Sequence, residues 1–210
     1  MRFTSPHFLP YLLLPLTLSL AACNTLPGKS GIPAGNLAIR DADGNRVYHE
    51  QIQLSGKIAI HYEKNSQQQN LPGSFLWEQQ AGLLKLTLFS PLGQTMARIT
   101  QTANFALLEQ DGKAPVTAAN LDDLLATTLR WPLPVAGMRD WLQGCLRKAD
   151  GQCEMLQAND QTVQQSGWMI RYSSWYQDPA VLPRRIDLKR YTQEAGEVSL
   201  NIFLEAPEAQ

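Results

Sequence analysis

The chain has 210 residues, with 18 Lys and Arg against 19 Asp and Glu and a formal net charge of −1. That length supports one domain of moderate size with a real core. The charge balance, with no basic stripe anywhere along the chain, excludes broad electrostatic capture of nucleic acid.

The N-terminus is not part of a fold. Arg2 supplies a positive start, and Phe8 to Ala22 is an uncharged, mostly apolar run broken by Pro10 and Pro15. It is too short for a comfortable membrane span and reads as a secretory signal. It ends Leu20-Ala21-Ala22-Cys23, small residues followed directly by cysteine. This is the pattern of a bacterial lipobox, in which the thiol receives a diacylglycerol, the signal is cut before the cysteine and the new amino group is acylated. Three acyl chains anchor strongly, since each buried methylene contributes about 0.8 kcal/mol. Residue 24 is Asn rather than Asp. By resemblance to Gram-negative lipoproteins, where Asp there retains the protein in the inner membrane, the expected destination is the outer membrane. Asn24 to Asn45 contains Pro27, Gly28, Gly31, Pro33, Gly35 and Gly44, the composition of a flexible tether. The expected organisation is a signal peptide over 1–22, a tether over 23–45 beginning at a lipidated Cys23, and a folded body over 46–210.

A short helix is predicted over Arg46 to Gln51. After it the period is two. Ile58, Ile60 and Tyr62 alternate with polar or small neighbours, as do Phe75 and Trp77, then Leu84, Leu86 and Leu88, then Ala97 and Ile99, then Phe105 and Leu107. These are half-buried antiparallel strands. Ser90-Pro91-Leu92-Gly93 has turn chemistry, yet it sets a leucine at a tip where small polar residues are the norm. In "ANLDDLLATTLRW" Asn120 is a predicted N-cap and Asp122 and Asp123 favour the helix dipole. Leu121, Leu124, Leu125 and Leu129 share one face. Trp131 to Pro134 stops that helix, and a second follows with Val135, Met138, Trp141 and Leu142 on one face, ending at Gly144. Strands resume after Cys153, over Trp168 to Tyr172, Arg184 to Tyr191 and Glu197 to Leu204, with turns at Asp178-Pro179 and Glu194-Ala195-Gly196. The fold class is therefore α+β and mainly β, a curved antiparallel sheet with a helical lid on its apolar face.

Traces of enzyme chemistry are missing. His7 lies in the signal, and His49 and His61 alternate with apolar residues as solvent-facing positions. No His pair has metal-ligand spacing, and no Gly-x-Ser-x-Gly or phosphate-loop motif occurs. Asp122 and Asp123 are explained by helix capping. No catalytic residue, metal or cofactor is implied. Cys145 and Cys153, separated by the polar stretch Leu146 to Gln152, are an expected disulfide in an oxidising compartment.

The lipobox and tether are followed in order by "LSGKIAI", "SFLWEQQ", "LTLFSPLGQT" and "WPLPVAGMRDWLQG". This combination resembles the LolB family, the outer-membrane receptors that accept lipoproteins from the periplasmic carrier LolA. The resemblance runs from about Gln51 to Gly144 and is looser in the C-terminal strands; the paired cysteines depart from the family pattern. It implies an incomplete antiparallel β-barrel closed by a helical lid over an apolar cavity. It implies non-covalent receipt of client acyl chains and their release into the outer membrane, by a monomer facing the periplasm. The implied partners are a LolA-like carrier, client lipoproteins and outer-membrane lipid. It places the membrane-contacting leucine of a protruding loop at Leu92, between Pro91 and Gly93. Candidates for the cavity lining are Ile58, Ile60, Phe75, Trp77, Leu86, Leu88, Ile99, Phe105, Leu107, Leu125, Leu129, Met138, Trp141 and Leu142. Two other classes compete. A lipoprotein scaffold of an outer-membrane assembly would have a solid core, and a hydrolase would need a nucleophile–base pair that the sequence does not offer.

The lipobox generates a direct test. Intact mass spectrometry of protein extracted from membranes is expected to show a chain beginning at Cys23 with three acyl chains. A free thiol there, or residues retained before it, would refute the assignment.

Overall fold

The computed structural model describes residues 45–129, 133–177, 182–193 and 196–206. Cys23, the tether, Trp131-Pro132, Asp178-Pro179 and Glu194-Ala195 lie outside the described residues. The elements are β1 (Ile52–Lys64), β2 (Gln67–Gln80), β3 (Leu83–Phe89), β4 (Thr95–Thr102), β5 (Ala106–Gln110) and β6 (Val116–Ala118), then α1 (Leu121–Leu129) and α2 (Val135–Trp141). They continue with β7 (Cys145–Arg147), β8 (Cys153–Met155), β9 (Gln161–Gln165), β10 (Trp168–Trp175), β11 (Pro183–Thr192) and β12 (Gly196–Leu204).

Ten strands form one antiparallel sheet in the order β6-β5-β4-β3-β2-β1-β12-β11-β10-β9. The first and last strands of the body therefore meet in its middle, with Ile58 opposite Ile202 and Ile60 opposite Leu200. The outermost strands, β6 and β9, are not paired with each other, so the sheet stays open. This is an incomplete barrel, and its architecture follows from period-two patterning. Directly opposed residues share a face. Leu54, Trp77, Leu86, Ile99 and Leu108 thus line up across five strands on one face. On the other half of the sheet Ile58, Ile202, Ile186 and Tyr172 do the same.

Such a face needs a cover, and the two helices supply it. Asn120 caps α1, its Oδ1 accepting the Asp123 backbone N–H at 2.8 Å. Asp122 and Asp123 occupy the first turn, where the helix dipole favours negative charge. Leu121, Leu124 and Leu125 are buried, as are Val135, Met138, Trp141 and Leu142 after the break. All join one contiguous apolar core with the inward residues of the sheet.

Three expectations need correction. Arg46 to Gln51 is not a helix: Arg46 forms an isolated bridge and residues 47–49 have no regular structure. The stretch between the cysteines is not an irregular loop but the turn of a small hairpin, in which Cys145 opposes Met155 and Arg147 opposes Cys153. Finally, β5 has the opposite phase from that expected. The turn before it ends at Phe105, whose backbone N–H donates to Thr102 Oγ1. Ile99 then pairs with Leu108, so Ala106 and Leu108 face inward, while Phe105 is 41% exposed and Leu107 half-buried.

Cys145 and Cys153 sit diagonally across the β7–β8 hairpin with Cα atoms 5.6 Å apart and their sulfurs joined. That separation lies in the usual range for a disulfide. Closing so short a loop contributes about 2.5 kcal/mol in the chain-entropy account. Non-reducing peptide mapping of periplasmic protein is expected to give one linked fragment pair. Two alkylatable thiols in untreated protein would exclude the bond.

Candidate functional site

Two features of the body stand out: a single exposed leucine on a hairpin tip, and the apolar interior beneath the helices.

The tip joins β3 to β4. Gly93 N–H donates to the Ser90 carbonyl at 2.9 Å, and Ser90 N–H to the Gln94 carbonyl at 2.8 Å. Pro91 stands in the second turn position, where its fixed φ is favourable. Gly93 has φ +82°, the left-handed conformation that a three-residue hairpin loop needs at that place. Ser90 Oγ also accepts the Gln94 N–H. The loop is thus internally hydrogen-bonded and holds its apex outward. Leu92 at that apex is 88% exposed, the most exposed large apolar side chain among the described residues. It does not fold back onto its own strands.

The interior brings together most of the residues named from the sequence. Ile58, Ile60, Phe75, Trp77, Leu86, Ile99, Leu125, Met138, Trp141 and Leu142 are all buried in one cluster. Leu88 is partly buried against it. Phe105 and Leu107 do not line it, for the reason of phase given above. The side chain of Leu129 lies outside the described residues. Sequence reasoning missed the C-terminal half of the lining: Trp168, Ile170, Tyr172, Ile186, Leu188, Val198, Leu200 and Ile202 are equally buried. The signal was there in the alternation of 198–204, but the crossover that joins β12 to β1 was not legible.

The two helices are held differently. α2 and its extension are fastened by polar bonds. Trp141 Nε1 donates to Gln165 Oε1 at 2.7 Å, Gln165 Nε2 to the Arg147 carbonyl at 2.7 Å, and Tyr172 OH to the Trp141 carbonyl at 3.1 Å. Burial pushes the Tyr172 hydroxyl pKa upward, which keeps it a donor. Asp140 takes a two-pronged bond from Arg147, and that pairing raises the Arg147 pKa. The side-chain hydrogen bonds of α1, in contrast, stay within the helix and its cap among the described residues. Its described side chains meet the core through Leu121, Leu124 and Leu125.

A buried polar clamp closes one end of the interior. Gln143 Oε1 accepts the His49 N–H at 2.9 Å, and its Nε2 donates to the His49 carbonyl at 3.0 Å. Gln79 Nε2 donates to the Tyr48 hydroxyl at 3.0 Å, while its Oε1 accepts Trp77 Nε1 at 3.2 Å. Arg46 donates to the Gln143 and Leu156 carbonyls and lies 4.6 Å from the Trp175 ring centroid. Gly144 permits this, because a Cβ there would meet the Trp175 ring and the Arg46 guanidinium. The segment before β1 is therefore strapped to the end of α2. Among the described residues no group of three His, Cys, Asp or Glu could hold a metal ion. No helix there is long and apolar enough to cross a membrane.

The family model described as "Outer membrane lipoprotein LolB" matches residues 50–205. The chain belongs to the LolB family. It is 37% identical to the outer-membrane lipoprotein LolB of Cupriavidus pinatubonensis, over 89% of this chain and 87% of that protein. It is 38% identical to the Cupriavidus necator protein of the same name, over 79% and 83%. The Nitrosomonas europaea LolB is 31% identical over 69% and 68%. LolB proteins are outer-membrane lipoproteins of lipoprotein transport, not enzymes, and this chain is one of them.

The clamp also predicts a pH response. His49 is half-buried rather than solvent-facing, and burial lowers its pKa below the ordinary value of 6.5. A folded-state pKa below the unfolded one means that the unfolded chain binds more protons as the solution acidifies. The stability tied to neutral His49 is present above the unfolded pKa and lost as pH falls through the depressed folded value. Urea denaturation at pH 7.5 and 5.0 is expected to show a smaller acid loss for His49→Gln than for wild type. Equal losses would refute the assignment to this side chain.

Proposed function

We propose that this protein accepts lipoproteins from a LolA-like periplasmic carrier, shelters their acyl chains between the sheet and α1, and releases them into the outer membrane. The observation that carries the reading is the contiguous apolar core covered by a helix whose described side chains make no hydrogen bond to the sheet. Such a helix can be displaced by acyl chains without breaking a side-chain hydrogen bond to the sheet, since hydrocarbon replaces hydrocarbon. In this reading Cys23 carries the anchor, residues 23–45 are its tether, and one copy of the body, 46–210, faces the periplasm.

The energetics demand a sheltered route. A triacylated client has roughly 45 methylenes, so exposing them to water would cost on the order of 30 kcal/mol at about 0.8 each. Passing them from one apolar interior to another removes most of that cost. Direction then needs only a modest affinity difference, about 1.4 kcal/mol for each factor of ten.

The scaffold reading draws on a different observation, the filled interior: Trp77, Trp141 and Tyr172 are fully packed within it. Displacement of a fluorescent fatty acid separates the two. Saturable uptake by the protein supports transfer, and no uptake supports a solid core.

Leu92 supplies the delivery step. Burying one leucine is worth about 1.5–3 kcal/mol, negligible as an anchor but enough to orient a tethered body at a lipid surface. Leu92→Glu is expected to leave the thermal midpoint and acceptance from the carrier nearly unchanged while impairing insertion into liposomes. Wild-type insertion would remove Leu92 from the membrane step, and a collapsed melt would show it to be a core residue.

A further inference from the structure

The register of the sheet fixes which tips share an end. Phe89, the last residue before the Leu92 turn, pairs with Ser74. Ser74 pairs with Lys57, Lys57 with Phe203, and Phe203 with Arg185. Because neighbours are antiparallel, β3, β1 and β11 run in the same direction. The chain from Arg185 to Tyr191 therefore climbs toward the same end of the sheet as Leu92.

Tyr191 is 75% exposed there. Met169, opposite Lys189 on β10, is 44% exposed. Met169, Lys189 and Tyr191 share the outer face, since Ile170 and Leu188 point inward between them. With Arg190 and Glu197 they border a groove of about 460 Å³. Lys189 and Glu197 form only a loose, exposed pair at 3.5 Å.

We propose that this surface, centred on Tyr191 and Met169, is a second point of contact with the phospholipid bilayer. The proposal rests on the reading of Leu92 as a membrane contact. Three observations favour lipid as the occupant. The chain is an outer-membrane lipoprotein, so its anchor keeps the body at high effective concentration beside a bilayer. A tyrosine as exposed as Tyr191 matches the headgroup level, where one end of the side chain is apolar and the other wet. Lys189, on the same face, can send its charged end to lipid phosphates while its stem covers apolar surface. A body touching the membrane through Leu92 alone pivots freely about one hairpin. A second contact four strands away defines a plane and turns the same face of the sheet toward the lipid at every encounter.

The test uses the full lipidated protein in vesicles of phosphatidylethanolamine and phosphatidylglycerol. Nitroxide labels are placed at Tyr191→Cys, Leu92→Cys and, as a reference on the β2–β3 turn at the opposite end, Ala81→Cys. With Cys23 acylated and Cys145 bonded to Cys153, each variant offers one free thiol. Collisions with oxygen report lipid, and collisions with a water-soluble nickel chelate report solvent. The expected result is that the label at 191 gains oxygen collisions and loses nickel collisions relative to the label at 81. Immersion at 92 with the 191 label left in water overturns this proposal and leaves the Leu92 reading intact. Immersion at 191 with the 92 label in water keeps the Tyr191 contact and removes the Leu92 one. Both labels in water refute both. A 191 label shielded only after the periplasmic carrier is added assigns the surface to a protein partner and overturns the proposal.

Discussion

An antiparallel sheet that does not close on itself leaves an apolar inner face without a second layer. Everything else in this structure answers that constraint. The strands alternate over most of their length, broken by register shifts in the β3–β4 and β10–β11 ladders, so most inner residues share one face. The chain therefore interrupts the sheet after β6 with two amphipathic helices and lays them across the opening. Each buried Leu, Ile or Phe contributes about 1.5–3 kcal/mol by leaving water, and no directional bond is needed to hold α1.

Polar groups are used sparingly and at one end. Gln79 and Gln143 are buried side chains that spend their amides on the Tyr48 hydroxyl and the His49 backbone. Leaving such groups unsatisfied in the interior would cost about 1–3 kcal/mol each, so the clamp has a defined geometry. It ties the entry of the folded body to the end of α2. The hairpin of β7 and β8, with its disulfide, continues the same fastening. Side-chain hydrogen bonds thereby fasten α2 to the rest of the body, while those of α1 stay within the helix and its cap among the described residues.

Leu92 and Tyr191 lie at the other end of the sheet. β1 enters from the clamp and runs toward them, and Leu92 and Tyr191 are both reached by strands running the same way. Leu92 and Tyr191 are the two most exposed large apolar side chains among the described residues.

Much of this was legible in the sequence. The alternation of Ile58 and Ile60, Phe75 and Trp77, and Leu86 and Leu88 named the inner face, since a period of two admits only one arrangement against a core. Asn120 announced its helix, and the Pro91–Gly93 pair announced a turn with Leu92 at its tip. Tertiary structure alone decided the remainder. The pairing of β1 with β12 joins residues about 140 positions apart, and no local pattern encodes it. The phase of β5 was set by its ladder with β4, which overrode the bulk of Phe105 in favour of Ala106. The strap at Arg46 to His49 carries no periodicity, because its order comes from Gln79, Gln143 and Trp175, side chains brought to it only when the sheet and α2 are already in place.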